Sequence, residues 1–430
     1  MAGRMTRGLA GRVGVLVVAN LLAASALADY ELYNENDTKL DLQLMVIGNQ
    51  FGQDASWFGE SHALLNISAA HWTEFGTEFG AKAETKLWDG TFFAEASGVY
   101  TRSSGDDASG VTTGLSEESK TTLEQGHIGW KTDDTFTGLE ESTLSVKLGR
   151  FDYSIGTGML IVDGGSDGGD RGGWYLGLRK AFQNAAIVSL DSKTLDVQVF
   201  RIKNNPRRGG AQGEARGANA DYTFGEDGSV TLGGSYMRIY PQGSEAEADV
   251  YDGRASWTVL PGLTFSGEYA KEDGDDISGE GYYAQALYEF SDVAWKPTLS
   301  YRYAKFNDEF NGLAYGFTDW GFWFQGEIAG NYPLSNTNLE SNMFRVKVTP
   351  HEKVTVNLFY YKFTFDNPQA FGVTSEDYGD EVDLMVDWQA TDRVFVSGVL
   401  AQLNPDNAAE QLTGGDKDWK YAMISVAFTL

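Results

Sequence analysis

The 430-residue chain contains no cysteine, and this absence excludes disulfide bridges and thiol chemistry. Histidine is also rare, and its four copies are His62, His71, His127 and His351. They lie far apart, and no pair has the close spacing of a helical zinc site. We therefore expect no bound metal, and nothing in the sequence calls for a cofactor.

Basic residues are scarce: 33 Lys and Arg stand against 61 Asp and Glu, and the formal charge is −28. A protein that binds nucleic acid needs a basic surface, so the composition argues against such a partner. Most of the acidic residues fall between the predicted strands. We interpret them as solvated loops, and the alternatives are cation bridging to lipopolysaccharide and adaptation to a salty medium.

No long apolar run follows the first thirty residues, so a second membrane-spanning helix is not expected. Residues 1–28 have the three parts of a secretory signal peptide: basic Arg4, Arg7 and Arg12, the apolar run Val13 to Leu22, and the cleavage site Ala26-Leu27-Ala28. A membrane anchor is the alternative, although the apolar run is shorter than the ~20 residues needed to span. Residues 29–430 would form the exported protein.

The chain contains about eighteen stretches, of about ten residues each, in which apolar and polar residues alternate strictly. In one of them, Val382, Leu384, Val386 and Trp388 interleave with Asp383, Met385 and Asp387. Side chains on a strand point to opposite faces with period two, so each stretch has one apolar and one polar face. The pattern predicts an all-β protein, a transmembrane antiparallel β-barrel with lipid outside and a polar lumen.

Tight turns alternate with longer polar connections along the chain, which is the asymmetry of bacterial outer-membrane barrels. Asp89-Gly90, Pro261-Gly262 and Ala390-Thr391-Asp392 are three of these tight turns. A strict count gives nineteen candidate strands, whereas single-chain bacterial barrels have even numbers. We exclude Leu64–Thr73, where the alternation fades, and predict eighteen strands.

The last predicted strand, Lys420 to Leu430, ends at the C-terminus with Phe428 and Leu430 on its apolar face. A final strand of this kind resembles the signal that the outer-membrane insertion machinery reads. We therefore expect that machinery, outer-membrane lipid and lipopolysaccharide as partners, and the bacterial outer membrane as the location.

The polar parity of the predicted strands assigns charged residues to the lumen, because a Lys or Arg that faces lipid at mid-depth costs ~2–4 kcal/mol. Nine acids share this parity with seven cations, so the predicted lumen wall is mixed in charge. The cations are Lys82, Lys86, Lys147, Arg254, Arg302, Arg345 and Lys347.

The connection 153–182 is too apolar for a free surface loop, since it contains Met159 to Val162 and Trp174 to Leu178. A loop folded into the barrel and packed on its inner wall would explain this composition, and it would narrow the pore. Phe310–Leu339 is a second aromatic segment that could cap or plug the opening. The alternative is an outward loop packed on itself.

Two regions carry a family resemblance. Leu148-Gly149-Arg150, a Gly-rich loop with Arg171, and Val197 to Arg201 form the first, and the chain from Gly379 to the C-terminus forms the second. These regions resemble the alginate-export outer-membrane porins. The resemblance implies an eighteen-stranded barrel, partly occluded by loops, that passes a uronate polymer through a basic constriction. It makes Arg150, Arg171 and Arg201 the candidate pore residues, followed by Lys147 and Arg179.

Parity places Arg150 and Arg201 with the apolar set, so their candidacy requires a bulge or a position above the membrane. With the wall cations, the complete set of candidate pore residues is Lys147, Arg150, Arg171, Arg179, Arg201, Arg254, Arg302, Arg345 and Lys347.

Three motifs suggest other chemistry. Gly164 to Gly168 matches G-x-S-x-G, but that motif needs a strand-to-helix elbow to form a hydrolase site. Asp163, Asp167 and Asp170 could bind calcium, although their spacing fits no EF-hand loop. His127 with Glu124 and Gln125 is the one local hint of an outer-membrane hydrolase.

We therefore predict a non-enzymatic porin for passive passage of a polar or anionic solute, such as a uronate-type polysaccharide or oligosaccharide. The alternative is a plugged structural or adhesion barrel whose acidic loops bind cations.

Overall fold

A computed structural model of the chain describes residues 29–60, 70–106, 118–133, 142–162, 164–208, 210, 212–241, 247–275, 277–313 and 325–430. The predicted signal peptide, residues 1–28, lies outside this part of the chain. Residues 64–69 of the excluded strand and Asp163 also lie outside it.

The described residues form nineteen strands, whose alternating side chains follow the period-two pattern of the sequence. The strands are β1 Asp29–Glu35, β2 Thr38–Asp54, β3 Ala70–Leu87, β4 Gly90–Gly105, β5 Ser119–Thr132, β6 Thr143–Phe151, β7 Phe182–Asp191, β8 Leu195–Lys203, β9 Gly213–Phe224, β10 Val230–Pro241, β11 Ala248–Leu260, β12 Leu263–Gly274, β13 Gly279–Glu289, β14 Thr298–Phe306, β15 Leu339–His351, β16 Val354–Thr364, β17 Asp377–Thr391, β18 Val394–Pro405 and β19 Trp419–Thr429.

Helical structure is confined to the connections between described strands. One short α-helix, α1, spans Asn407–Thr413, and a π-helical turn spans Gly326–Gly330. Single 3₁₀ turns lie at Ser56–Gly59, Gly169–Arg171, Glu226–Gly228 and Pro368–Phe371. No helix in the described ranges is long and apolar enough to cross a membrane.

Closure comes from the last strand, because β19 pairs with β2 as well as with β18, always antiparallel. Strands β2 to β19 therefore form a closed barrel of eighteen strands, which confirms the predicted fold class. The short strand β1 pairs with the first half of β2, where Tyr30 lies opposite Leu42. Strand β19 takes the other half, up to Thr429 opposite Met45.

The excluded segment is not a separate spanning strand. Its last residues, 70–73, open β3, which continues without interruption to Leu87. Within β3, Glu74 and Glu78 are buried while Phe75 and Phe79 are exposed, so one alternation runs through the whole strand. The strand that the sequence predicted around Lys82–Trp88 is therefore longer than expected.

Burial is inverted relative to a soluble protein. In β17, Asp383 and Asp387 are buried, whereas Leu384 and Trp388 are 38% and 48% exposed. Apolar side chains facing outward and charged side chains facing inward are what a barrel surrounded by lipid requires. The outward-facing apolar side chains, together with the closed sheet, place the protein in a bacterial outer membrane.

Leu384 tests the orientation of the wall. Leu384→Arg places a charge at mid-depth in lipid, and we expect it to lower the free energy of unfolding by about 2–4 kcal/mol. Chemical unfolding from lipid vesicles measures this loss. Leu384→Ala is the control for the missing side chain, and an arginine variant as stable as Leu384→Ala would show that this face is not in lipid.

Candidate functional site

The connection between β6 and β7 lies inside the barrel; its described residues, 152–162 and 164–181, are called the first inner loop. Its apolar residues Met159, Leu160 and Ile161 are buried, as are Tyr175 and Leu178. The sequence predicted this inward fold from the same apolar residues.

Contacts with the lumen wall hold the first inner loop. The backbone N–H of Tyr175 donates to Glu74 Oε2 at 2.9 Å, and the N–H of Gly173 donates to Ser103 Oγ at 2.6 Å. Leu176 and Leu178 lie so close to Gly76 that a Cβ there would come within 2.8 Å of either side chain. Gly76 therefore leaves room for these two leucine side chains against β3.

A buried ion pair between Arg179 and Asp167 closes the first inner loop on itself. Arg179 also donates from Nε to Thr122 Oγ1 at 2.7 Å and from a terminal nitrogen to the Lys120 carbonyl at 2.8 Å. Burial raises the pKa of Asp167, while the Arg179 charge acts in the opposite direction. With these bonds Arg179 positions the loop and faces protein groups rather than open lumen.

Arg171 joins the first inner loop to the connection after β8. Its guanidinium donates to the carbonyls of Ser166 at 2.7 Å, Asn205 at 3.1 Å and Pro206 at 2.8 Å. Burial lowers the pKa of Arg171. The resemblance made Arg171 and Arg179 candidate pore residues, and both therefore make structural contacts.

The second inner segment comprises residues 325–338, before β15; residues 314–324 lie outside the described ranges. The Tyr332 ring lies between those of Tyr175 and Trp419, with centroid separations of 5.6 and 5.2 Å. The first inner loop and the second inner segment thus meet inside the barrel.

Two buried carboxylates of β17 dock the second inner segment. The N–H groups of Ile328 and Ala329 each donate to Glu381 at 2.7 Å, and the N–H of Glu327 donates to Asp383 at 3.2 Å. Neither carboxylate oxygen of Glu327 bonds to a described residue. Burial raises its pKa well above the ordinary value, and the charges of Glu381 and Asp387 act in the same direction.

Three of the predicted wall cations lie together on β14 and β15. Arg345 is opposite Ser300, so Arg302 is its diagonal neighbour on the same face, and Lys347 is two residues further along β15. Arg345 Nε and a terminal nitrogen donate to Asn357 Oδ1 at 3.1 and 2.7 Å, and the guanidinium lies 5.3 Å from the Phe359 ring centroid. Within the described part of the chain, no carboxylate lies within 4.0 Å of Arg345.

Other predicted cations have anionic or aromatic partners. Arg254 is bound by Asp221 at 2.7 Å and by Asp252 at 2.5 Å. Lys147 lies 4.2 Å from the centroid of the Phe151 ring. These residues lie apart from the pair formed by Arg302 and Arg345.

Arg150 lies at an irregularity of β6, because the register with β7 shifts between Gly149 and Phe151. The candidacy of Arg150 as a pore residue required a bulge or a position above the membrane; this irregularity is compatible with it, and the pore role stays a prediction. Its Nε donates to the Glu124 carbonyl at 2.8 Å, and the Glu124 carboxylate lies 3.9 Å away. Arg150 is half-buried against the wall at the end of the first inner loop.

Arg201 lies on the outer face of the barrel, and the structure thereby removes it from the lumen. Strand β8 pairs with β7 and β9 without a register shift, so Arg201 keeps the parity of the lipid-facing Val199. Its side chain is 46% exposed and pairs with Glu214. The bulge that its candidacy required is absent from β8.

The motifs that suggested other chemistry serve structural roles. Ser166 Oγ accepts the N–H of Arg207 at 2.8 Å, and the segment contains no strand-to-helix elbow. Asp170 pairs with Lys120 at 2.5 Å. Glu124 Oε1 accepts the N–H groups of Lys180 and Ala181 at 2.7 and 2.6 Å, where the first inner loop ends. No cluster of metal-binding side chains occurs among the residues described.

The parity assignment missed several buried acids. Glu381 shares the parity of Asp383, and Glu74 and Glu78 share one face of β3, so a longer reading of the alternation would have found them. Glu327 lies in a connection, where no period marks its side chain as inward. Only the docking of the second inner segment places it in the barrel.

No family model matches the chain, and no curated protein matches it. Similar solved structures include OpdQ of Pseudomonas aeruginosa, with a TM-score of 0.58 and 13% identity over 92% of this chain and 99% of that one. OprD of the same organism has a TM-score of 0.55 and 12% identity, over 95% and 96%. A BenF-like porin from Pseudomonas fluorescens has a TM-score of 0.59 and 14% identity, over 91% and 99%. The chain therefore shares the fold of outer-membrane porins in the broader sense, and the narrower resemblance to alginate-export porins has no support from these comparisons.

Removing Arg179 should release the first inner loop. Arg179→Met leaves the Asp167 carboxylate buried without its partner, which typically costs about 3–5 kcal/mol. We expect faster hydrogen exchange at residues 164–178 and new trypsin cleavage after Arg171. The double variant Arg179→Met/Asp167→Leu removes both charges and should recover much of the protection; equal exchange in the single variant and the parent would contradict the structural role.

The docking of the second inner segment should weaken as pH rises. The pKa of Glu327 is raised in the docked state, so docking binds a proton. The stabilisation of the docked state by this proton is complete below pH 4.5, the ordinary pKa of a glutamate. It is lost as pH rises through the raised pKa of Glu327. Hydrogen exchange of residues 325–338, corrected for intrinsic rates, should therefore be faster at about pH 9 than at about pH 5. Glu327→Gln should remove this dependence, and a dependence that persists in the variant would assign it to another group.

Proposed function

We propose that the barrel is a passive outer-membrane channel that selects small anionic solutes, and that Arg302, Arg345 and Lys347 attract them. The fold shared with outer-membrane porins supports a channel. The cation cluster on β14 and β15 supports the choice of an anion.

The observation that carries this proposal is the environment of Arg345. Its guanidinium is buried, is oriented by the neutral amide of Asn357 and has no ion-pair partner in the described ranges. The buried carboxylate of Asp387 acts on this charge from beyond ion-pair distance. A buried positive charge without a counterion in direct contact is costly, and an anion in the lumen would offset that cost. By contrast, both oxygens of Glu381 accept backbone N–H groups, so that carboxylate is already compensated by the protein.

The packing of the lumen favours a small solute over a polymer. The first inner loop and the second inner segment touch through Tyr175 and Tyr332, and they are anchored to different strands of the wall, β3 and β17. A path past such a contact is narrow. Within the uronate class, a single carboxylated sugar or a short oligosaccharide therefore fits better than a chain of alginate length.

The same contact also favours a second function, a plugged barrel with a structural or adhesive role. If Tyr175 and Tyr332 seal the lumen permanently, the protein would not conduct. Single-channel recording in planar bilayers separates the two functions, since a plugged barrel gives no conductance steps.

Arg345→Gln tests the anion selectivity. Loss of the charge should shift the reversal potential toward cation preference, with a roughly 2- to 10-fold fall in the anion-to-cation permeability ratio. It should also weaken block of the current by glucuronate. The measurement is the reversal potential under a salt gradient across the bilayer.

Lys362→Gln is the matched control, because Lys362 is a cation on the outer face of the neighbouring strand β16. We expect the parent permeability ratio in this variant. A parent protein that conducts but prefers cations would contradict the anion proposal and leave the channel intact.

A further inference from the structure

Three arginines stand in a row on the outer face of the barrel. Arg216 of β9 lies directly opposite Arg201 of β8 on one side and Arg238 of β10 on the other. All three point away from the lumen, and their side chains are 46–57% exposed. We refer to them as the arginine row. Like charges directly opposite one another on a sheet are destabilising, so the row needs an explanation.

Three lysines of the same rim follow the opposite rule. Lys271 lies opposite Glu280, Lys305 opposite Glu340, and Lys362 opposite Asp380. Each of these lysines therefore has an acid as its cross-strand neighbour.

The arginine row follows this rule only at its end. Arg238 lies opposite Asp249 of β11 on its other side. Arg216, in the middle, has an arginine opposite it on both sides.

Acidic residues hold the arginines in place but neutralise them only in part. Glu214 accepts from Nε of Arg201 at 2.9 Å and from Nε of Arg216 at 2.6 Å, while Glu247 accepts from Nε of Arg238 at 2.8 Å. A terminal nitrogen of Arg201 also binds Glu214 at 2.5 Å, and a terminal nitrogen of Arg238 binds Glu247 at 2.6 Å. Arg216 therefore has the fewest acidic contacts of the three. The terminal nitrogens of Arg216 make no hydrogen bond to a described residue.

An aromatic ring supports the middle arginine. The Arg216 guanidinium lies 4.9 Å from the centroid of the Tyr240 ring. Stacking of this kind orients the planar guanidinium and leaves its edge available for a bidentate acceptor. Phosphate is such an acceptor, and arginine is the side chain that matches its geometry best.

The height of the row in the membrane defines what it can meet. The three residues lie near the strand ends that lead to the longer connections 204–212 and 242–247, on the side away from the tight turns and the termini. Tyr236 lies two residues nearer the membrane centre than Arg238, and it is opposite Tyr251. Exposed tyrosines at this level form an interfacial belt, so the arginines lie just above it, among the headgroups of the outer leaflet.

We propose that the arginine row is a binding site for a phosphate group of lipopolysaccharide, the phosphorylated glycolipid of the outer leaflet. Arg201, Arg216 and Arg238 contact the phosphate, Glu214 and Glu247 orient them, and the lipid chains lie on the apolar wall below. The site is outside the channel and does not depend on conduction.

The experiment compares lipid binding by two triple variants of the mature full-length barrel in detergent. One variant is Arg201→Gln/Arg216→Gln/Arg238→Gln, and the control is Lys271→Gln/Lys305→Gln/Lys362→Gln, which removes the same charge from the same rim. Native mass spectrometry measures the dissociation constants of diphosphorylated lipid A, of dephosphorylated lipid A and of inorganic phosphate. Heat-modifiable mobility on gels confirms that both variants are folded.

We expect the arginine variant to bind diphosphorylated lipid A at least about tenfold more weakly than the parent, and the control to bind like the parent. Dephosphorylated lipid A should bind the parent as weakly as the phosphorylated form binds the arginine variant. Equal binding of the two lipids by the parent, or an equal loss in the two triple variants, would overturn the proposal. Tight binding of inorganic phosphate alone would overturn the lipid assignment, and an unchanged conductance in the arginine variant would separate this result from the fate of the channel.

Discussion

Backbone groups inside a bilayer have no water to bond to, and this single constraint organises the protein. Every N–H and C=O of a spanning strand must find a partner within the sheet, and a sheet satisfies all of them only when it closes. The pairing of β19 with β2 meets that requirement. Once the sheet closes, each strand has one face in lipid and one face in the lumen, so the positions of charged side chains are restricted before any function is selected.

Charged side chains that cannot face lipid must face the lumen. Two inner segments fill much of that space, and they dock through backbone N–H groups that meet carboxylates such as Glu74 and Glu381. These acids therefore hold the inner segments in place rather than attract cations. Arg345 differs, because a neutral amide orients it and no described carboxylate pairs with it. The contrast between Glu381 and Arg345 is the basis of the proposed anion preference in a strongly acidic protein.

The outer face shows the same logic at the membrane boundary. At three strand pairs of the rim, a lysine faces an acid, which stabilises the sheet without any ligand. Arg201, Arg216 and Arg238 depart from that arrangement at the level of the outer-leaflet headgroups. A position that looked like a pore residue in the sequence is therefore better understood as part of the surface that meets lipid.

The sequence alone determined the wall of this protein. Strict alternation, as in Val382 to Trp388, encodes which face of a strand meets lipid, because that choice depends only on each residue and its nearest neighbours. The same local pattern predicted the closed barrel, the tight turns and the lumen positions of Arg302 and Arg345. The apolar residues of the connection 153–182 likewise indicated that it folds inward.

The tertiary structure decided how the charges are paired, because pairing joins residues that lie far apart in the chain. Arg171 and Arg179 belong to one loop in the sequence, yet their partners include Asn205, Thr122 and the Lys120 carbonyl. Glu327 has no periodic neighbours, and only docking on β17 makes it a buried acid. The alternation placed Arg150 and Arg201 with the apolar set. The two strands differ in the structure, because β6 has a register shift beside Arg150 whereas β8 pairs regularly around Arg201, and register depends on the neighbouring strands and not on the residue itself.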